Sequence, residues 1–335
     1  MVGISLLTLV PGVVGGSENY ARELCRGLAR VGELEYTVFL PRVAGDASDG
    51  LPGEILGRYA AARSIPGRTR AMAGAAVRPG PLRREMRLDR LEAIHFPLSV
   101  MLPTVAAPPV ATTMLDLQHE FLPQNFRRAE LAYRRIVYGA TARRSRIVIA
   151  ISEHARETLI ERMGIAPDRV CTIHLAVDHE RFTPAHVPRE EYVLYPARRW
   201  PHKNHERLFA AMELLPDLRL VLTGDRNERV TADELVDLYR RAAAVVYPSL
   251  YEGFGQPPLE AMACATPVAV SDIPPLREVC GDAAEYFDPL EPEDIARGIR
   301  DAIARGGASG PARAARFTWD ECARKHEAVY RELAA

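Results

Sequence analysis

Short apolar runs alternating with helical periodicity constrain this chain more than any other feature. Residues 4–9 read as a buried strand, after which Tyr20, Leu24 and Leu28 recur at the spacing of one helix face. Residues 36–40, 93–96, 110–114 and 147–151 read as further strands. Ser152 suits the cap of a helix carrying Ala155, Leu159 and Ile160, and residues 170–174 make another strand. Around 176–189 the periodicity lapses, and His179, Arg181, Thr183, Pro184, Pro188 and Arg189 mark a linker. A second series follows at 192–195, 218–223, 243–247 and 267–270. Strand, loop and helix in repetition predict α/β architecture with parallel sheets. The expectation is two Rossmann-like, doubly wound domains, residues 1–182 and 190–316, facing an interdomain cleft. A helix over 317–335 comes last, with Thr318 as its cap. Ligands of such sheets bind beyond the carboxyl ends of the strands.

A length of 335 residues suits two domains, and 47% hydrophobic residues suffice for two ordinary cores. A net charge of −1 gives no field that would gather nucleic acid. No apolar run reaches the length of a membrane span, and Met1-Val2-Gly3-Ile4-Ser5-Leu6-Leu7 lacks the basic start of a signal peptide. The five cysteines are scattered without CxxC spacing, as expected of a reduced, cytoplasmic protein with no disulfide framework or zinc site. Residues 63–90 carry eight arginines (63, 68, 70, 78, 83, 84, 87 and 90) against Glu85 and Asp89. This stretch reads either as solvated crossover helices or as a patch for an anionic membrane face or an acidic acceptor.

Four segments at expected strand ends carry chemistry. Glu252-Gly253-Phe254-Gly255-Gln256-Pro257-Pro258-Leu259-Glu260 sets two carboxylates eight positions apart around a Gly-Phe-Gly turn. Backbone N–H groups there can approach a ligand closely, and the following helix points its positive end at the same place. Arg198 and Lys203, five apart after the first strand of the second domain, suit a diphosphate that gains charge as it leaves. Arg199 competes with Arg198 for the inward position. Pro11-Gly12-Val13-Val14-Gly15-Gly16-Ser17-Glu18 is either a simple strand-to-helix turn or an anion-approaching loop, and it is not a G-x-G-x-x-G fingerprint. Leu115-Asp116-Leu117-Gln118-His119 lies just after another strand; its histidine is either structural or a site residue, and Asp116 shapes the loop or faces an acceptor.

The string from Tyr247 through Val268 resembles the E-x7-E segment of retaining GT-B glycosyltransferases of family 4, the group 1, mannosyltransferase-like enzymes. Arg198 and Lys203 are similar to that family's Arg-x4-Lys-Asn signature, and Gly15-Gly16-Ser17-Glu18 resembles its G-G-x-E loop. The resemblance implies a hexosyltransferase. Arg198 and Lys203 would hold the donor diphosphate, with Gly15, Gly16, Gly253, Phe254 and Gly255 alongside. Glu252 would hold sugar hydroxyls and Glu260 the ribose. His119 and Asp116 would lie on the acceptor side, with His119 standing in for the His of the usual His-Asp pair, where this chain has Leu115. It further implies a C-terminal helix crossing back onto the N-terminal domain, and no metal or cofactor beyond the nucleotide sugar. GDP-mannose leads as donor, with UDP- and dTDP-sugars next. The acceptor is unknown: a cell-surface glycan, a lipid or a small metabolite. Peripheral contact with the inner membrane face fits the basic stretch. Three departures keep other classes open: Leu115 and Ala197 replace the usual His and Gly, and residues 225–230 are shorter than the stretch that normally shapes a base pocket. These leave a catalytically lapsed nucleotide-binding module or a nucleotide-sugar epimerase as alternatives.

Overall fold

The computed structural model describes residues 1–13, 15–61, 64–224 and 230–335. Among these, the chain divides into two compact units. The first comprises Met1–Glu120, Phe126–His174 and Trp319–Ala335; the second comprises Phe121–Asn125 and Leu175–Thr318.

The first unit holds β1 (Val2–Ser5), β2 (Tyr36–Leu40), β3 (Gly53–Ile55), β4 (Ala93–Phe96), β5 (Val110–Met114), β6 (Ile147–Ala150) and β7 (Val170–Thr172). Around them lie α1 (Gly16–Val31), α2 (Ile65–Val77), α3 (Gly80–Glu85), α4 (Arg128–Arg144) and α5 (Glu153–Glu161). The strands order as β3-β2-β1-β4-β5-β6-β7, all parallel. The order reverses between β1 and β4, so this is a doubly wound sheet with its switch point beside the end of β1. β1 is shorter than the apolar run suggests. The Leu6 N–H still donates to the Phe39 carbonyl of β2, but Leu7 and Leu9, also buried, leave the ladder, the Leu9 N–H donating back to the Leu6 carbonyl as the chain turns toward Gly12. β3 has no apolar pattern to betray it, because it is a three-residue edge strand whose Ile55 is exposed.

The second unit holds β8 (Glu190–Pro196), β9 (Arg219–Thr223), β10 (Ala242–Tyr247), β11 (Val268–Ser271) and β12 (Glu285–Phe287). Its helices are α6 (His205–Glu213), α7 (Ala232–Arg241), α8 (Gln256–Ala263), α9 (Pro274–Cys280), α10 (Pro292–Arg305) and α11 (Gly310–Ala314). The parallel order β12-β11-β10-β8-β9 puts its switch point between β8 and β10. Strand β10 is buried almost throughout, which is why it reads as a continuous apolar run rather than an alternating one.

The last helix, α12 (Trp319–Ala334), belongs to the first unit and packs along α1. Gly27 permits that approach, since a Cβ there would lie 2.9 Å from the Trp319 carbonyl oxygen. Beneath it runs a wholly buried polar chain. His326 Nδ1 meets the Cys322 carbonyl at 2.8 Å, so that nitrogen carries the proton and Nε2 accepts from Tyr20 at 2.9 Å. Tyr20 in turn accepts from Thr113 (2.8 Å), Thr113 from His95 Nε2 (2.9 Å), and His95 Nδ1 from Tyr330 (2.8 Å). One proton arrangement satisfies every member, and it requires both histidines neutral.

Burial holds His326 down to about 4 and His95 well below the usual histidine range, with His326 adding to the effect on His95. Below about pH 6.5 the unfolded chain takes up protons that these two side chains refuse. Stability from His326 is therefore complete above pH 6.5 and is lost as pH falls toward 4, on the order of 3 kcal/mol. Denaturation measured at pH 7.5 and pH 5 should show a clear loss in the wild type and a smaller one in His326→Gln. Equal slopes for the two proteins would refute the assignment.

Candidate active site

In the second unit, the loops after β8 and β10 flank the switch point and are stitched together. The Leu250 N–H donates to the His202 carbonyl (2.7 Å), and Asn204 Nδ2 donates to the carbonyls of Pro248 (3.0 Å) and Pro289 (2.7 Å). Asn204 does this from a left-handed conformation, φ 58°, which its short polar side chain tolerates. A third stitch is ionic: Lys203 Nζ lies 2.5 Å from Glu252 Oε1, with both side chains about nine-tenths buried. The Lys203 ammonium also donates to the Tyr247 hydroxyl at 2.8 Å and sits 4.7 Å from that ring's centroid. Tyr195, at the end of β8, donates to the Lys203 carbonyl (2.7 Å) and meets Tyr247 edge-on. Two strand-end tyrosines thus fix the backbone and the ammonium of one lysine.

Arg198 is half-buried, with its guanidinium 5.7 Å from the Trp200 ring, whereas Arg199 is exposed over Phe209. Of the two, Arg198 is the less exposed. Sequence reasoning passed over Gly224, which ends the strand beside this loop. At φ +113° it lies so close that a Cβ would stand 3.1 Å from the Ala197 carbonyl carbon and 3.2 Å from the Arg198 nitrogen. Its signal in the sequence is the string Leu222-Thr223-Gly224 at the end of an apolar run. Residues 225–229 of the shortened segment lie outside the described residues.

Gly255 caps α8 at φ 127° and ψ 46°. The neighbouring Phe254 is buried against Phe317, so its ring is packed into the unit rather than presented to a ligand. Glu260, one turn into α8, is buried and accepts a hydrogen bond from Tyr239 at 2.9 Å. Burial pushes its carboxyl up to about 7, against hydrogen bonds from Tyr239 and Gln256 that pull it down. Tyr247 lies between the two acids; burial raises its phenol well above the usual value, and Glu252 and Glu260 add to this.

In the first unit, Gly15 caps α1 at φ 55°, and Glu18 reaches back to accept the Gly12 N–H at 2.7 Å. Gly16 has no such backbone need: it sits in the helix, and among the described residues nothing lies within 4 Å of where a Cβ would go. Val14 lies outside the described residues. Asp116 is committed to Arg134 (2.7 Å) and to the Gln118 N–H (2.8 Å), which shapes the turn after β5. His119 is fully buried, edge-on to Tyr138 and Phe126, and among the described residues neither ring nitrogen has a hydrogen-bond partner. Its Nε2 stands 3.4 Å from Glu120, and burial lowers its pKa despite that carboxylate. Leu115 contributes only its N–H, to Ser99 Oγ at 3.0 Å.

Two parallel α/β units with glycine loops and clustered charges at their strand ends define a GT-B glycosyltransferase architecture. The family model of Glycosyltransferase Family 4 matches residues 14–181 and that of Glycosyl transferases group 1 matches residues 228–317. The chain belongs to glycosyltransferase family 4. It is 28% identical over 222 residues to the O-antigen chain mannosyltransferase RfbU of Salmonella typhimurium, covering 58% of this chain and 62% of that one. It is 29% identical over 238 residues to the O-antigen chain mannosyltransferase B of Escherichia coli, covering 56% and 61%. The matches thus span about three-fifths of these relatives' length. Among solved structures, sucrose-phosphate synthase from Thermosynechococcus elongatus superposes with a TM-score of 0.78 at 19% identity, over 99% of this chain and 98% of that one. HepE of Anabaena, in complex with UDP and glucose, gives 0.71 at 17% identity over 98% of each. At these identities the superpositions establish the fold. Among the described residues no helix is long and apolar enough to cross a membrane.

Proposed function

We propose that this chain is a retaining hexosyltransferase that moves a sugar from a nucleotide diphosphate sugar to a hydroxyl acceptor. The carrying observation is the buried Lys203–Glu252–Tyr247 cluster at the β8–β10 switch point, where a cation and a carboxylate are held at hydrogen-bond distance. Arg198 and Lys203 take the diphosphate and stabilise the charge that develops as it leaves. Glu252 then turns from Lys203 to the sugar hydroxyls, and Glu260 accepts from the ribose. The N–H groups of Gly253, Phe254 and Gly255, with the N-terminus of α8, complete the donor side. On the first unit, Gly15 and Gly16 are assigned to the donor diphosphate; Gly16 supports this, because no contact among the described residues demands a glycine there. His119 and Asp116 are assigned to the acceptor side, and the unsatisfied ring nitrogens of His119 support a ligand contact.

The reading needs no metal or cofactor, because Arg198 and Lys203 supply the positive charge. GDP-mannose is the preferred donor, since the two O-antigen relatives are named mannosyltransferases; HepE with its UDP keeps UDP-sugars next. The acceptor is assigned no further than a glycan, lipid or small molecule, with peripheral membrane contact through the arginine-rich α2 and α3.

A thermal-shift panel of GDP, UDP, dTDP and ADP without added metal tests the reading. A ligand at one hundred times its dissociation constant stabilises by about 2.7 kcal/mol. One nucleotide raising the melting temperature fixes the donor class. No shift with any of them would favour a lapsed binding module instead.

A further inference from the structure

Glu260 holds the ribose in the proposed function, and the role inferred for its neighbours rests on that reading. The carboxylate does not stand alone. Tyr239, on α7, is wholly buried and donates to Glu260 Oε2 at 2.9 Å. Its ring is fixed edge-on by Phe182, and its carbonyl accepts from Thr266 Oγ1 at 2.6 Å. Gln256, one turn before Glu260, donates through Nε2 to the Ala176 carbonyl at 2.8 Å, and its side chain also pulls the Glu260 carboxyl down.

We propose that Tyr239 is a positioning residue for donor binding, and that with Gln256 it holds Glu260 ionised and oriented toward the paired hydroxyls of a nucleotide ribose. An adjacent diol offers two O–H donors, and only a carboxylate accepts both without supplying a competing proton. Burial opposes that charged form, and two neutral donors favour it. The Tyr239 phenol is itself pushed well above its usual value by burial and by Glu260, so it remains a donor throughout the working range. The other titratable groups around Glu260 do not replace it. Tyr247 on β10 contacts Lys203, and Cys264 beyond α8 is raised to about 12. On α7, Arg240 is spent on Thr183 and Arg241 on Asp237. Arg277 of α9 pairs with Asp272, and Arg313 of α11 donates to the carbonyls of Val279 and Glu278.

The test is calorimetric binding of GDP-mannose, UDP-glucose and dTDP-glucose between pH 6 and pH 9. Their diphosphates are esterified at both ends and carry no proton that titrates there. In the wild type, affinity should fall up to about tenfold per pH unit as pH drops below the Glu260 midpoint. In Tyr239→Phe that midpoint should move up by about one pH unit, giving about fivefold weaker binding at pH 7 that recovers to near wild type at pH 9. Gln256→Met should move it the same way, and serves where Tyr239→Phe fails to fold. Glu260→Gln should bind weakly at every pH, with no midpoint. Binding by Tyr239→Phe that is equally weak across the range, or a midpoint left unmoved in both positioning variants, would overturn the proposal. If the wild type binds none of the three at any pH, the donor-site reading itself falls and takes this one with it. A pH-flat wild type that still binds would refute the positioning role alone.

Discussion

Lys203→Ala should reduce turnover about 10²–10³-fold, the usual loss when one fixed donor to a developing anion is removed. The same change should cost roughly 3 kcal/mol of stability, for a separate reason. Glu252 is nearly as buried as Lys203, and without its partner it becomes an uncompensated charge in a desolvated site. The two effects can be separated. Adding Glu252→Gln to Lys203→Ala removes the orphaned charge and should restore most of the stability, while turnover stays low because neither the cation nor the carboxylate is back. Arg198→Ala should lose turnover to a similar degree with less effect on folding, since that side chain is only half-buried over Trp200. Urea denaturation and sugar-transfer rates on the four proteins check this. A Lys203→Ala enzyme that turns over normally would remove the lysine from the chemistry.

The second large effect is expected at Gly255. Its φ of 127° is unfavourable to any L side chain, and a Cβ would lie 2.8 Å from Leu276 Cδ2. Backbone strain and overpacking each cost about 1–3 kcal/mol, so Gly255→Ala should lose roughly 2–5 kcal/mol and with it the entry geometry of α8. Gly16→Ala provides the contrast. That site has helical backbone and open space, so alanine should leave the melting temperature within a degree or two while weakening donor binding. A Gly255→Ala protein as stable as the parent would show that α8 can start without this turn. Full donor affinity in Gly16→Ala would remove that loop from the site.

The sequence made the sheets legible because their strands are buried on both faces and therefore appear as unbroken apolar runs. It also marked Glu252, Glu260, Arg198 and Lys203 as candidates, charged residues in the loops and helix start that come after such strands. What it concealed was pairing. That Lys203 and Glu252, forty-nine positions apart, form one ion pair depends on β8 and β10 being neighbours, and strand order is set by packing rather than by local pattern. The grip of Tyr239 on Glu260 was hidden for a similar reason: a tyrosine on the apolar stripe of α7 reads simply as core. His119 shows the limit from the other side, since a loop position predicts exposure and the structure buries its ring completely. Phe121–Asn125 cluster with the second unit although the residues on either side belong to the first, an excursion that no periodicity announces.

The return of α12 to the first unit carries a consequence for biosynthesis. The ribosome delivers residues 1–174 before Leu175–Thr318, yet Tyr20 and His95 find their buried partners on α12 only after the whole of Leu175–Thr318 has emerged. Until then the side of α1 that will face α12 is uncovered, and nascent chains with such exposed surface are where aggregation and chaperone capture concentrate. The second unit, nearly continuous along the chain, can close before the first. In this protein the order of synthesis and the order of completion therefore run in opposite directions.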